Sequence, residues 1–103
     1  MNVSLRNGLY LLTLCFVVSA LARADDSVGK AAFERICAMC HGESGEGAEG
    51  PPLVPLKYGA PEILGFTRNG RGNMPPQPRS AITNDEITAV AAYLGTLGAS
   101  AKK

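Results

Sequence analysis

The chain has little excess charge, no long apolar run and no internal repeat. Ten Lys and Arg residues stand against nine Asp and Glu residues in a total of 103. Nothing therefore indicates the basic stripe that a nucleic-acid-binding protein needs. The longest apolar run covers 13 residues, Leu9–Leu21, whereas a membrane-spanning helix needs about 20. The length allows one domain at most.

The N-terminal segment has the pattern of a secretory signal peptide. Arg6 precedes the apolar run, and Ala22-Arg23-Ala24 follows it as a small-residue cleavage signature. We expect residues 1–24 to be removed and residues 25–103 to form the mature domain, with no membrane span after processing. The alternatives are an uncleaved membrane anchor and a lipoprotein at Cys15. The second is disfavoured because Leu14 precedes Cys15 where a small residue is expected.

Cysteine is scarce in the predicted mature domain. Only Cys37 and Cys40 remain there, and their close spacing rules out a disulfide framework. The hydrophobic core of a domain of about 80 residues gives only marginal stability, and such domains usually need a further stabilising element. A large apolar cofactor would be such an element.

No segment alternates like a strand, and three segments have helical character, so the fold class is predicted to be all-α. The first helix is expected from an N-cap at Ser27 to about Met39, and the second from about Pro61 to Gly70. Thr83 and Glu86 form a capping box for the third. This third helix has a periodic apolar face and an expected stop at Gly98; the face comprises Ile87, Val90, Ala91, Leu94 and Leu97.

Cys37-Ala38-Met39-Cys40-His41 has the spacing of covalent haem attachment. Each cysteine can form a thioether to one haem vinyl group, and the adjacent histidine is then an axial ligand of the iron. A structural zinc site would need four ligands, and the predicted mature domain has only two Cys residues and one His. A thioredoxin-like dithiol would need a strand before the motif, and a helix is predicted there. The sequence therefore predicts one haem c held by Cys37, Cys40 and His41.

The second axial ligand is predicted to be Met74. His41 is the only histidine, so two histidine ligands are excluded. Met39 lies inside the attachment motif, on the wrong side of the haem to reach the iron from the opposite face. Met74 lies in a proline-rich loop, so it does not belong to the apolar face of a helix that packs in the core. A Met/His pair leaves no open position on the iron, which favours electron transfer over catalysis or ligand sensing. Lys57 is the next candidate.

Four motifs make the chain similar to the bacterial class I cytochromes c. They are the attachment motif, Gly50-Pro51-Pro52-Leu53, Asn69–Pro75 and the Ala-Tyr-Leu stretch of the last helix, which occur in the family's order over nearly the whole mature chain. The resemblance implies the class I cytochrome c fold, with three main helices around one covalent haem.

The resemblance also implies roles for single residues. Gly29 and Phe33 would meet Tyr93 and Leu94 where the first and last helices cross, and a glycine at such a crossing lets the helices approach closely. The carbonyl of Pro51 would accept a hydrogen bond from His41, and Leu53 would pack beside that ring. The short segment between Leu56 and Pro61 departs from longer members and would leave the haem propionates more open.

Two functional hypotheses follow. The first is a periplasmic one-electron carrier that is not itself an enzyme and that exchanges electrons with a dehydrogenase, an oxidase or another cytochrome. The alternative is a cytochrome subunit bound to a flavoprotein dehydrogenase that oxidises a phenol or alcohol. The small domain is similar to the cytochrome subunits of flavocytochromes such as p-cresol methylhydroxylase. The arginines around the methionine loop, which are Arg68, Arg71 and Arg79, are either a solvated face or a docking face for a partner.

Overall fold

Three helices and their connecting loops make up the computed structural model, which describes residues 26–101. Helix α1 covers residues 26–41 and contains a π-helical turn at Phe33–Cys37 followed by an α-helical turn at Ala38–His41. Helix α2 is Ala60–Asn69, and helix α3 is Asn84–Ala101. The described part contains no β-sheet, so the all-α prediction is confirmed. The predicted signal peptide, residues 1–24, lies outside it. None of the helices between residues 26 and 101 is long and apolar enough to cross a membrane.

Helix α1 differs from its predicted bounds at both ends. Residue 26 is already helical, so Ser27 lies within the helix and the N-cap prediction is wrong. The helix continues to His41, two residues beyond the predicted end, and stops at Gly42, whose φ of 87° favours glycine. The attachment motif is therefore part of the helix.

Helices α1 and α3 cross where α1 has a glycine. A Cβ atom on Gly29 would collide with the carbonyl of Ala89 and would lie 3.1 Å from the Cβ of Tyr93. One turn further on, the rings of Phe33 and Tyr93 pack with their centroids 5.8 Å apart. The close crossing expected from Gly29 and Tyr93 is present.

The core forms where the two long helices meet the loop before α3. Its fully buried side chains are Ala32, Phe33, Ile82, Ile87, Val90 and Leu94. Four of the five residues in the periodic stripe predicted for α3 are buried, and the fifth, Leu97, is half-buried and packs on the core. Full burial of one such large side chain is worth about 1.5–3 kcal/mol.

Helix α2 begins and ends close to the predicted positions. Pro61 lies in its first turn, and Gly70 ends it with a φ of 76° and an amide that donates to the carbonyl of Phe66. The buried Thr67 donates its hydroxyl hydrogen to the carbonyl of Ile63 at 2.7 Å. The helix can thus bury this polar side chain without leaving it unpaired.

The capping box of α3 is confirmed. The amide of Thr83 donates to Oε1 of Glu86 at 3.0 Å, and the amide of Glu86 donates to Oγ1 of Thr83 at 3.1 Å. The predicted stop at Gly98 is wrong, because the helix continues to Ala101. Gly98 is instead buried against the loop, where a Cβ atom would lie 3.5 Å from the Cα of Pro55.

Candidate functional site

The two cysteines of the attachment motif lie in different surroundings on the last turns of α1. Cys37 ends the π-helical turn and is half-buried against the core, whereas Cys40 is exposed. Burial raises the pKa of the Cys37 thiol to about 11, although the nearby Arg35 opposes the shift. A thiol with so high a pKa is a poor nucleophile, which disfavours a redox-active dithiol.

The ring of His41 is oriented by a backbone carbonyl. Its Nδ1 atom lies 2.8 Å from the carbonyl oxygen of Pro51. Because a carbonyl oxygen only accepts hydrogen bonds, Nδ1 must carry the proton, and the lone pair is on Nε2. A metal-binding histidine commonly has this arrangement, in which one nitrogen donates to the protein and the other is free for the metal. The contact implied by the family resemblance is therefore present.

The loop after the motif folds back onto the end of α1. The amide of Gly47 donates to the carbonyl of His41 at 2.7 Å, and the amide of Gly50 donates to that of Cys40 at 2.6 Å. A Cβ atom on Gly50 would lie 3.0 Å from both Cε1 and Nδ1 of the His41 ring. Glycine at position 50 thus lets the backbone approach the imidazole closely enough for Pro51 to accept its hydrogen bond.

Leu53 follows in the same loop, which continues along the core. Its amide donates to the carbonyl of Gly45 at 2.8 Å, and its half-buried side chain packs on the core cluster. Gly45 is buried, with a φ of 71°, and a Cβ atom there would lie 3.4 Å from a methyl group of Leu94. These contacts fix the loop against α3.

Glu46 has a local role that the sequence did not reveal. Its Oε2 atom accepts a hydrogen bond from the amide of Ser44 at 2.8 Å. Hydrogen bonds from its own backbone amide and from that of Ser44 lower the pKa of this carboxyl group. The side chain of Glu46 thus folds back and closes the turn after the attachment motif.

Met74 lies in a tight turn that directly follows α2. The amide of Arg71 donates to the carbonyl of Met74 at 3.1 Å, and the amide of Met74 donates back to that of Arg71 at 2.9 Å. A Cβ atom on Gly70 would lie 2.7 Å from the carbonyl oxygen of Met74, so glycine is required there. Met74 is half-buried, whereas Met39 is 84% exposed. Of the two methionines in the described chain, Met74 has the more buried side chain.

The arginines near this turn do not form one surface. Arg68 is half-buried and donates to several atoms of the protein. Arg71 is exposed, and its guanidinium carbon lies 4.6 Å from the ring centroid of Phe66 and 5.8 Å from that of Tyr58, within cation–π range. Arg79 is exposed. A docking face could use Arg71 and Arg79, but Arg68 is occupied within the fold.

The residues fit a covalently bound haem in their donor set and in the apolar packing of Cys37. The donor set offers two thiols at attachment spacing, an imidazole whose Nε2 is free, and a thioether in a constrained turn. Cys37 packs against the apolar core cluster. Other half-buried apolar side chains also pack on this cluster, and they include Ile36, Leu53, Val54, Leu56, Ile63, Leu64 and Leu97.

Comparison with known proteins identifies the family. Residues 24–94 match the family model described as cytochrome c oxidase, cbb3-type, subunit III. The chain is 36% identical over 89 residues to the 4-cresol dehydrogenase [hydroxylating] cytochrome c subunit of Pseudomonas putida, a match that covers 82% of this chain and 75% of that protein. It is also 34% identical over 73 residues to cytochrome c-551 of Bacillus subtilis, which covers 69% of this chain and 62% of that protein. The chain thus spans less than two thirds of the Bacillus protein.

The fold, the donor set and these matches define the class. The protein is a c-type cytochrome with one haem c, and mono-haem members of this class transfer electrons. It belongs to the family matched over residues 24–94, which includes most of the described part of the chain.

Proposed function

We propose that the protein is a periplasmic one-electron carrier in which Cys37 and Cys40 bind the haem and His41 and Met74 are the axial ligands of its iron. The observation that carries the proposal is the hydrogen bond from Nδ1 of His41 to the carbonyl of Pro51. It fixes both the tautomer and the direction of the ring and leaves the Nε2 lone pair to bind a ligand, as in many metal-binding histidines.

The chain's own residues hold the site in a fixed geometry. The backbone bonds from Gly47 and Gly50 fasten the end of α1, and the Arg71–Met74 pair fixes the methionine turn. When bound, haem supplies a one-electron Fe(III)/Fe(II) couple, and a soft thioether ligand raises its potential. Rigid ligands change little between the two oxidation states, and a filled sixth position leaves no site for substrate. We therefore propose that the protein is not itself an enzyme.

The proposed location rests on the N-terminal sequence. Residues 1–24 have the pattern of a cleaved signal peptide, and we propose that residues 25–103 form the mature periplasmic protein. Covalent attachment of the haem suits an exported domain, because the cofactor cannot dissociate into the surrounding medium. After processing the protein would diffuse between redox partners, with which it would make small, transient contacts.

A second candidate is a subunit of a flavoprotein dehydrogenase. The observation that favours it is the 36% identity to the cytochrome c subunit of 4-cresol dehydrogenase over 75% of that protein. In this role a partner flavoprotein would oxidise a phenol or alcohol, and the chain would accept electrons from its flavin. Purification of the tagged protein from its native periplasm separates the two hypotheses. A stoichiometric flavoprotein supports the subunit, and a free monomer supports the carrier.

The ligand assignment is tested by paired methionine variants. We expect the oxidised wild-type protein to show the weak near-infrared band of sulfur-to-iron charge transfer. Met74→Ala should lose this band and have a lower reduction potential, whereas Met39→Ala, its matched control, should keep both. A band that survives in Met74→Ala would contradict the assignment. A wild-type protein without the band would make Lys57 the next candidate.

The attachment is tested by extraction into acidified organic solvent. The wild-type protein should keep its haem on the polypeptide, and the double variant Cys37→Ala, Cys40→Ala should release any haem that it binds. Covalent haem in the double variant would contradict the assignment of the two cysteines.

A further inference from the structure

Arg68, near the end of α2, binds three separate points on the chain that follows. Its Nη1 atom donates to the carbonyl of Gln77 at 3.0 Å, and its Nη2 atom donates to the carbonyl of Ile82 at 2.8 Å. Nη2 and Nε also donate to the side-chain oxygen of Asn84 at 2.6 and 3.1 Å. One guanidinium thus joins α2 to the middle of the loop, to its end and to the first residue of α3.

These bonds bracket Met74. On its N-terminal side the chain is fixed by the reciprocal backbone bonds between Arg71 and Met74. On its C-terminal side the next fixed point is Gln77, whose amide donates to the carbonyl of Thr67 at 2.7 Å and whose carbonyl accepts from Arg68. No helix or sheet holds residues 70–83, so the position of Met74 depends on these few contacts.

We infer that Arg68 is a positioning residue that keeps the methionine loop closed and thereby keeps Met74 on the iron against competing ligands. The inference rests on the proposed function, because it requires Met74 to be the axial ligand. An external ligand can bind only in the fraction of molecules whose loop has opened, so its apparent affinity is reduced by that fraction. Loss of the bonds from Arg68 leaves the carbonyls of Gln77 and Ile82 without this donor and makes opening easier.

The test uses the oxidised holoprotein and imidazole as the external ligand. Arg68→Gln removes the charge and most of the donors. Arg68→Lys keeps the charge, but a lysine ammonium cannot reproduce the planar fork that reaches all three partners. We expect both variants to bind imidazole about tenfold or more tightly than the wild-type protein, since charge-assisted hydrogen bonds are lost. Imidazole binding is followed by the disappearance of the near-infrared band.

Two controls separate positioning from other effects. Arg79→Gln removes a positive charge from the same loop, and Val90→Ala destabilises the core through a side chain that is 3% exposed. Both should keep the wild-type affinity for imidazole. An unchanged affinity in Arg68→Lys and Arg68→Gln, or an equal rise in Val90→Ala, would overturn the role of Arg68. A wild-type protein without the band would instead overturn the ligand assignment.

Discussion

Arg35 and Glu86 form an ion pair between α1 and the first turn of α3, with Nη2 and Oε2 2.6 Å apart. Glu86 is also the acidic member of the capping box, so one carboxylate serves two contacts. Its pKa is lowered to about 2, first by the hydrogen bond from the amide of Thr83 and then by the side chain of Arg35. The ionised form of Glu86 is therefore coupled to the packing of the first and last helices.

The stability of the protein should depend on this carboxylate in acid. A group with a depressed folded-state pKa contributes stability above its ordinary pKa of 4.5 and loses it as the pH falls towards 2. Glu86→Gln should therefore unfold at a lower denaturant concentration than the wild-type protein at pH 7. The difference should shrink between pH 4.5 and pH 2, the window set by these two values. Glu34→Gln, which removes an exposed pair with Lys30, should change little.

Two glycine variants test the helix crossing. Gly29→Ala places a methyl group against the backbone of Ala89 and should destabilise the holoprotein by about 1–3 kcal/mol in denaturant unfolding. Gly95→Ala makes the same change in α3, where a Cβ atom would have no neighbour within 4 Å. It should stabilise the protein by about 0.5–1 kcal/mol, because alanine is the better helix former. Equal effects at the two positions would contradict the crossing.

The approach of Gly50 to His41 should affect the reduction potential. In Gly50→Ala the new methyl group pushes the imidazole away and weakens its bond to Pro51. That bond makes the ring a stronger donor and favours ferric iron, so its weakening should raise the potential by up to about 60 mV, which corresponds to one ordinary hydrogen bond. Redox titration measures the shift. Gly95→Ala, at an exposed position of α3 where a Cβ atom would meet nothing within 4 Å, should leave the potential unchanged.

The N-terminal prediction is tested by intact-mass measurement of the exported protein. We expect a polypeptide that begins at Asp25 and carries one haem. Ala24→Leu should block processing and keep the protein in the membrane fraction, because signal peptidase needs a small residue there. Cys15→Ala should be processed normally. A block of processing in Cys15→Ala would indicate a lipoprotein.

Much of the fold could be predicted because its signals are local. The capping box at Thr83 and the apolar stripe of α3 are patterns within one helix, and they are present as expected. The contacts of Gly29 and Pro51 followed from the family resemblance and are also present. Whether Cys37, Cys40, His41 and Met74 hold the haem stays a prediction.

Features that depend on distant parts of the chain could not be predicted. The end of α3 was misjudged because Gly98 lies within the helix, where it packs beside Pro55, and does not form a turn that ends the helix. The arginine-rich sequence near Met74 indicated a charged surface, but Arg68 turns inward to backbone carbonyls that no periodic pattern identifies. The π-helical turn at Phe33–Cys37 likewise has no sequence signal that we recognise.

The packing of Phe33 on Tyr93 has a consequence for the order of assembly. These two residues are 60 positions apart, so the core partner of α1 is synthesised well after α1 itself. Until α3 arrives, α1 lacks the core partners Ile87, Val90 and Leu94, and short isolated helices are marginal in water. Cys37 and Cys40 would therefore emerge on a segment that is not yet packed, with both thiols accessible to the proposed attachment of the haem. Packing of α1 on α3 would then leave Cys37 half-buried against the core.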